Sequence, residues 1–264
     1  MARMRKEAQA ADPESAQALI DLVPARPASP VVTLVVATVV ALCNLAQVLW
    51  PQIVPALWRD PKALASGQIW RLVSPLLVQS DGLVAFITIF AGLLLVGVVV
   101  ERLYGHLRWI ILFLAGGLAG EIAGYAWQPY SSGTSVGVLG LVGGLVALAV
   151  WRPEAVVRFE RANLLVVLSL IYSVAIVAGL VGGDLGNVAR SGAIPAVAAG
   201  SLIVLAQRRV PPRVVAFYVL GIMLTGAILL TVFHDIHGPA LLAGPAVGAL
   251  LILLGARERA AHPA

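Results

Sequence analysis

Eight apolar runs occupy most of this chain, near 31–50, 83–101, 107–127, 134–150, 163–181, 191–206, 213–233 and 239–256. Each approaches the roughly 20 residues that cross a bilayer core. In lipid, every backbone N–H and C=O must be satisfied within the protein, so runs of this kind fold as helices. The chain is therefore expected to be an all-α polytopic membrane protein with eight transmembrane helices. Most connections are short, which predicts antiparallel sequential neighbours. Composition agrees: the chain is 60% hydrophobic and 12% charged, against about a quarter charged in soluble domains.

The net charge of +5 is not a nucleic-acid footprint, because its distribution follows the turns. With the N-terminus in the cytoplasm, Arg59, Lys62, Arg71 and Arg190 fall outside, and the other 14 of the 18 Lys and Arg residues fall inside. This asymmetry predicts both termini cytoplasmic, in a bacterial plasma membrane. The expected organisation is a flexible N-terminal tail over 1–30, a transmembrane domain over 31–256 and a short tail over 257–264. Cys43 is a single cysteine in an apolar run and reads as a small buried hydrophobe. The longest connection, 51–82, carries Trp50, Trp58 and Trp70. Indole rings favour the headgroup level, so this segment is expected to lie along the outer leaflet.

The fourth run is the most unusual. Gly133, Gly137, Gly140, Gly143 and Gly144 leave one helix face almost without side chains, so neighbouring backbones can approach closely. Its stretch Gly137-Val138-Leu139-Gly140, followed by Gly144, resembles the serine motif Gly-x-Ser-Gly-x-x-x-Gly of the rhomboid intramembrane serine proteases, with Leu139 in the serine's place. Two further stretches carry the resemblance. Gly67 to Pro75, with Trp70 and Arg71, looks like that family's Trp-Arg motif. Glu101-Arg102-Leu103-Tyr104-Gly105 looks like its turn into a glycine-rich third helix.

The resemblance implies a rhomboid-like bundle with a six-helix core around a short serine helix, and two further helices here. It also implies a serine, a histidine base and side-chain oxyanion donors. The donor positions on the second helix fall on Ala85 and Ile89. By helix order the histidine falls on Ala193 in the sixth run, which would make the seventh and eighth runs an addition. By motif it falls on Leu241 in the eighth, where Gly244 and Gly248 match the family's glycines. All these positions are aliphatic, so no catalytic residues are expected on this alignment. The implied function is a non-proteolytic rhomboid-like protein that binds or retains transmembrane-helix clients such as single-pass proteins.

Two alternatives remain open. Ser135 lies one turn before Leu139 and His237 one turn before Leu241, so a displaced Ser/His pair would make the chain an intramembrane serine peptidase. This requires the eighth helix to sit beside the fourth. A small-solute transporter or channel is the second alternative. Glu121 stands within the third run, where an ionisable group is expensive and marks a candidate site; snorkelling or a bond to Tyr125 are its plainer readings. His234, Asp235 and His237 supply too few ligands for a structural metal. No metal and no cofactor are predicted.

Overall fold

The computed structural model describes residues 28–153, 163–186, 195, 200 and 212–261. The N-terminal tail to residue 27, nearly all of the sixth apolar run including Ala193, and the last residues of the C-terminal tail lie outside the described residues. Described elements are helical: α1 Val31–Leu49, α2 Ile53–Leu57, α3 Pro61–Ala65, α4 Gly82–Tyr104, α5 His106–Trp127, α6 Ser135–Trp151, α7 Asn163–Asp184, α8 Pro212–Val232 and α9 His237–Ala261, with 3-10 turns at Ile69–Leu72 and Ser74–Leu77. Six of these helices are long and apolar enough to cross a membrane, and α6 is a shorter apolar helix. Leu42, Leu45, Val84, Ile87, Phe217, Ile228 and Leu253 remain exposed on the outside of the bundle, which is the surface a bilayer would solvate.

Helix α6 is the axis of the fold, with every residue from Ser135 to Ala149 buried. Its most extensive partner is α9, then α5, with α4 and α8 completing the enclosure. Helix α7 packs on α4 and α8, and α1 on α4. The eighth run is thus integral to the core rather than an addition to it, and the expectation from helix order is corrected at that point. The physical reason lies in the glycines. A Cβ at Gly116 of α5 would sit 2.5 Å from the Gly140 Cα, and one at Gly244 of α9 would sit 2.7 Å from the Gly140 carbonyl oxygen. Backbones this close leave no room for any side chain, so α6 is clamped between α5 and α9 at Gly140. Tyr104 donates to the Gly144 carbonyl at 2.8 Å, and Gly248 lies against Gly144 and Ala147.

The Glu101 motif has a structural role. Its buried carboxylate accepts from the backbone N–H groups of Val32 and Thr33 at 2.8 and 2.7 Å and from the Thr33 hydroxyl at 2.6 Å. These are orphan donors of the first turn of α1, so the end of α4 caps α1. Gly105 then turns the chain into α5 with φ +82°, a conformation that disfavours any other residue.

Candidate functional site

The site sits at the end of the bundle where α6 begins. Two turns and an irregular strap set its geometry. The connection before α6 is stitched on both sides. Arg59 and Tyr130 pair through Tyr130 N–H to the Arg59 carbonyl at 2.9 Å and Arg59 N–H to the Ser131 carbonyl at 3.0 Å. Gly133 N–H donates to the Pro75 carbonyl at 3.0 Å, and the Thr134 hydroxyl to the Leu76 carbonyl at 2.7 Å. The Ser80 hydroxyl donates to the Ser132 carbonyl at 2.9 Å. Ser135, the next residue, therefore starts α6 from a fixed point.

On the other side, residues 233–236 turn α8 into α9. Asp235 N–H returns to the Leu230 carbonyl at 2.8 Å, and Gly238 packs so closely on Thr231 that a side chain there would collide. Asp235 accepts from His237 N–H at 2.9 Å, capping α9 as Asp does at a helix start.

These supports bring Ser135 and His237, distant in sequence, together. Ser135 Oγ lies 2.8 Å from His237 Nε2, and His237 Nδ1 lies 2.6 Å from Asp235 Oδ1. A carboxylate only accepts, so Nδ1 carries the proton and Nε2 presents its lone pair to the serine hydroxyl. The Asp235 carboxyl also hydrogen-bonds to Asp184 at the end of α7. Burial alone would raise the Asp235 pKa, but the hydrogen bonds from His237 outweigh it and hold the carboxyl below its ordinary range. Asp235 is therefore ionised at neutral pH. The Ser–His–Asp chain has the connectivity in which a base activates a nucleophile and a third group orients the base.

The other sequence candidates fall into place around this centre. Leu139 and Leu241 are each 1% exposed and belong to the same apolar core, one turn below Ser135 and His237. Ile89 is buried and Ala85 half-buried on α4. Read one turn earlier, Gly133-Thr134-Ser135-Val136, followed by Gly140, fits the serine motif with the serine present and Val136 for the second glycine. The same shift places His237 where Leu241 had been aligned. His234 turns away from the pair and meets the edge of Trp127 at 5.4 Å between ring centroids. Among the described residues no three His, Cys, Asp or Glu side chains gather as a metal site.

Glu121 is neither snorkelled nor bonded to Tyr125. It pairs with Arg59, Nη1 to Oε2 at 2.7 Å, with both side chains fully buried. Arg59 Nε also donates to the Gln128 carbonyl at 3.1 Å. The pair pins the long connection to α5 beside the strap that leads to Ser135. The Trp-Arg motif pins it again: Arg71 Nη1 donates to the Trp58 carbonyl at 2.8 Å and to the Pro55 carbonyl at 3.2 Å, while Trp70 is more than half exposed. Sequence reasoning offered Tyr125 and not Arg59 as a partner for Glu121, because Arg59 is far away in the chain. It also missed Gln79, a 4%-exposed amide beside Gly133. Nothing in the local sequence distinguishes that residue from an ordinary loop glutamine.

Comparison with known proteins agrees with this frame. Over 112 residues, 42% of the chain, it is 32% identical to the rhomboid protease GluP of Bacillus subtilis, covering 22% of that protein. Over 152 residues it is 27% identical to the putative rhomboid protease YdcA of the same organism, covering 53% of this chain and 72% of that protein. The chain thus spans less than a quarter of the length of GluP. No solved structure matches. The rhomboid domain family model matches residues 66–210, more than half of the chain and inclusive of Ser135, and on that match this integral, multi-pass membrane protein belongs to the rhomboid family.

Proposed function

We propose that the chain is an intramembrane serine peptidase that cleaves single-pass transmembrane helices, with Ser135 as nucleophile, His237 as general base and Asp235 as the group that orients the base. One observation carries this reading: the continuous Ser135–His237–Asp235 chain, with contacts of 2.8 and 2.6 Å. A serine hydroxyl is a weak nucleophile without an adjacent base, and here the base is in hydrogen-bond reach and in the right tautomer. As Ser135 Oγ bonds to the scissile carbonyl carbon, its proton passes to Nε2 and the carbonyl π pair moves onto oxygen. His237 then returns the proton to the departing amine. Water, activated by the same nitrogen, hydrolyses the acyl-enzyme. Throughout, the Asp235 carboxylate stabilises the imidazolium.

Depth supports the substrate class. Helix α6 has 17 residues, which at 1.5 Å per residue span about 25 Å, less than the ~30 Å hydrocarbon core. A helix this short can hold its first residue below the headgroup level. The charge asymmetry supports a bacterial plasma membrane with both termini cytoplasmic, so that this end faces outward.

A non-proteolytic, client-binding role is the second reading. It is favoured by Val136 in place of the motif's second glycine and by aliphatic Ala85 and Ile89 at the positions aligned with the family's donors. A conducting role is disfavoured, because apolar side chains enclose α6 along nearly its whole length. The deciding experiment is activity-based labelling with a fluorophosphonate in proteoliposomes, beside cleavage of a single-pass helical substrate. The peptidase reading expects labelling and cleavage, both abolished by Ser135→Ala. Absence of both from folded wild-type protein refutes it, and co-purification of uncleaved single-pass proteins then supports the second reading.

A further inference from the structure

Resting on the peptidase reading, we infer that Gln79 is a catalytic residue whose side-chain amide donates to the oxyanion. The aliphatic α4 positions leave the site without the side-chain donors expected there, yet a tetrahedral intermediate needs them. Gln79 stands three residues before α4 begins, only 4% exposed. The vacant Cβ position of Gly133 is 3.3 Å from Ser135 Oγ, 3.3 Å from Gln79 Oε1 and 3.5 Å from Gln79 Nε2. The amide and the nucleophile thus border the same point beside Gly133. An oxyanion forms on the carbon that Ser135 attacks, so a buried amide bordering that nucleophile stands where a donor is required.

The amide is oriented rather than free. Nε2 donates to Asp81 Oδ2 at 2.9 Å, which fixes the nitrogen end because a carboxylate accepts only. One of the two amide hydrogens is thereby engaged and the second is left over. Beside Gly133 the amide oxygen is at 3.3 Å and the nitrogen at 3.5 Å, so donation to an oxyanion requires the amide to turn about its soft terminal torsion. The backbone of Gln79 is held on both sides by Gln47 of α1. Gln47 Nε2 donates to the Gln79 carbonyl at 3.0 Å, and Gln79 N–H donates to Gln47 Oε1 at 3.3 Å. The backbone is thereby fixed, so the only motion the amide needs is a side-chain rotation.

The test is steady-state cleavage of a fluorogenic single-pass transmembrane peptide in proteoliposomes. Wild type is compared with Ser135→Ala, Gln79→Met and Gln79→Glu, and the thermal midpoint of each is recorded. Met keeps the length and removes the donor; Glu keeps the shape and replaces the donor with an anion. The expected result is a fall in kcat of about 10²–10³-fold for Gln79→Met and at least as much for Gln79→Glu, with KM and thermal midpoint near wild type. A kcat within about threefold of wild type for either variant overturns the inference while leaving the peptidase reading intact. A fall that merely tracks a lowered thermal midpoint overturns it as well. A wild type as inert as Ser135→Ala brings down both.

Discussion

Replacing Glu121 by Gln removes one member of an ion pair whose two side chains are both fully buried and 2.7 Å apart. The magnitude distinguishes two physical situations. A carboxylate snorkelled to water would lose a surface pair, worth about 0–1 kcal/mol. A buried pair broken on one side leaves the other charge uncompensated and costs about 3–5 kcal/mol. Arg59 has nowhere to go: its guanidinium fills the space where a Gly124 side chain would stand, and its Nε is committed to the Gln128 carbonyl. Glu121→Gln should therefore lower the unfolding free energy by about 3 kcal/mol or more. The double variant Arg59→Met with Glu121→Met should recover most of it, since hydrophobic replacement of a buried pair is often neutral or better. Its residual deficit should be about 1 kcal/mol for the lost Gln128 bond. The assay is reversible unfolding in mixed micelles, read as a double-mutant cycle. A cost below about 1 kcal/mol for Glu121→Gln, or a double variant no more stable than the singles, refutes the reasoning.

Further outcomes follow from the same geometry. Asp235→Asn keeps an acceptor for capping α9 but no longer fixes the His237 tautomer, so kcat for peptide cleavage should fall by about 10²–10⁴-fold in protein that remains folded at the assay temperature. The Asp235 carboxyl has a folded-state pKa below its unfolded value of about 3.9. Its contribution is thus present above that pH and lost as pH falls through the lowered folded value. An acid titration of thermal stability should show this loss in wild type and lack it in Asp235→Asn. Gly116→Ala places a methyl group 2.5 Å from the Gly140 Cα, where only helix separation relieves the clash. It should cost about 1–3 kcal/mol in mixed-micelle unfolding. Glu101→Ala uncaps α1 and should expose residues 31–34 to faster amide hydrogen exchange than the rest of that helix.

Much of the fold was legible because lipid is an unforgiving solvent. The apolar runs, the buried central helix and the glycine-lined contacts all follow from the need to satisfy backbone groups and pack helices without a hydrophobic driving force. The site was half legible. Ser135 and His237 both carry chemistry-bearing side chains, but a motif of glycines spaced by four survives a one-turn slip almost unchanged. Gly137, Gly140 and Gly144 support Leu139 as the centre about as well as Gly133 and Gly140 support Ser135. The eighth run permits the same slip, from His237 to Leu241. Local pattern cannot break that degeneracy, because both registers place small residues on the same helix face.

The sequence by itself determined that this chain is a membrane-embedded helical bundle, which helix is central and where close contacts are permitted, since those depend on composition and period. The tertiary structure decided which turn of each helix meets the other. The stitched strap fixes where α6 begins and the tight α8–α9 turn fixes where α9 begins. Only those two long-range anchors put a hydroxyl opposite an imidazole. They also bury Arg59 against Glu121 and set the Gln79 amide beside Gly133, because each of these contacts joins residues whose separation along the chain carries no local signal.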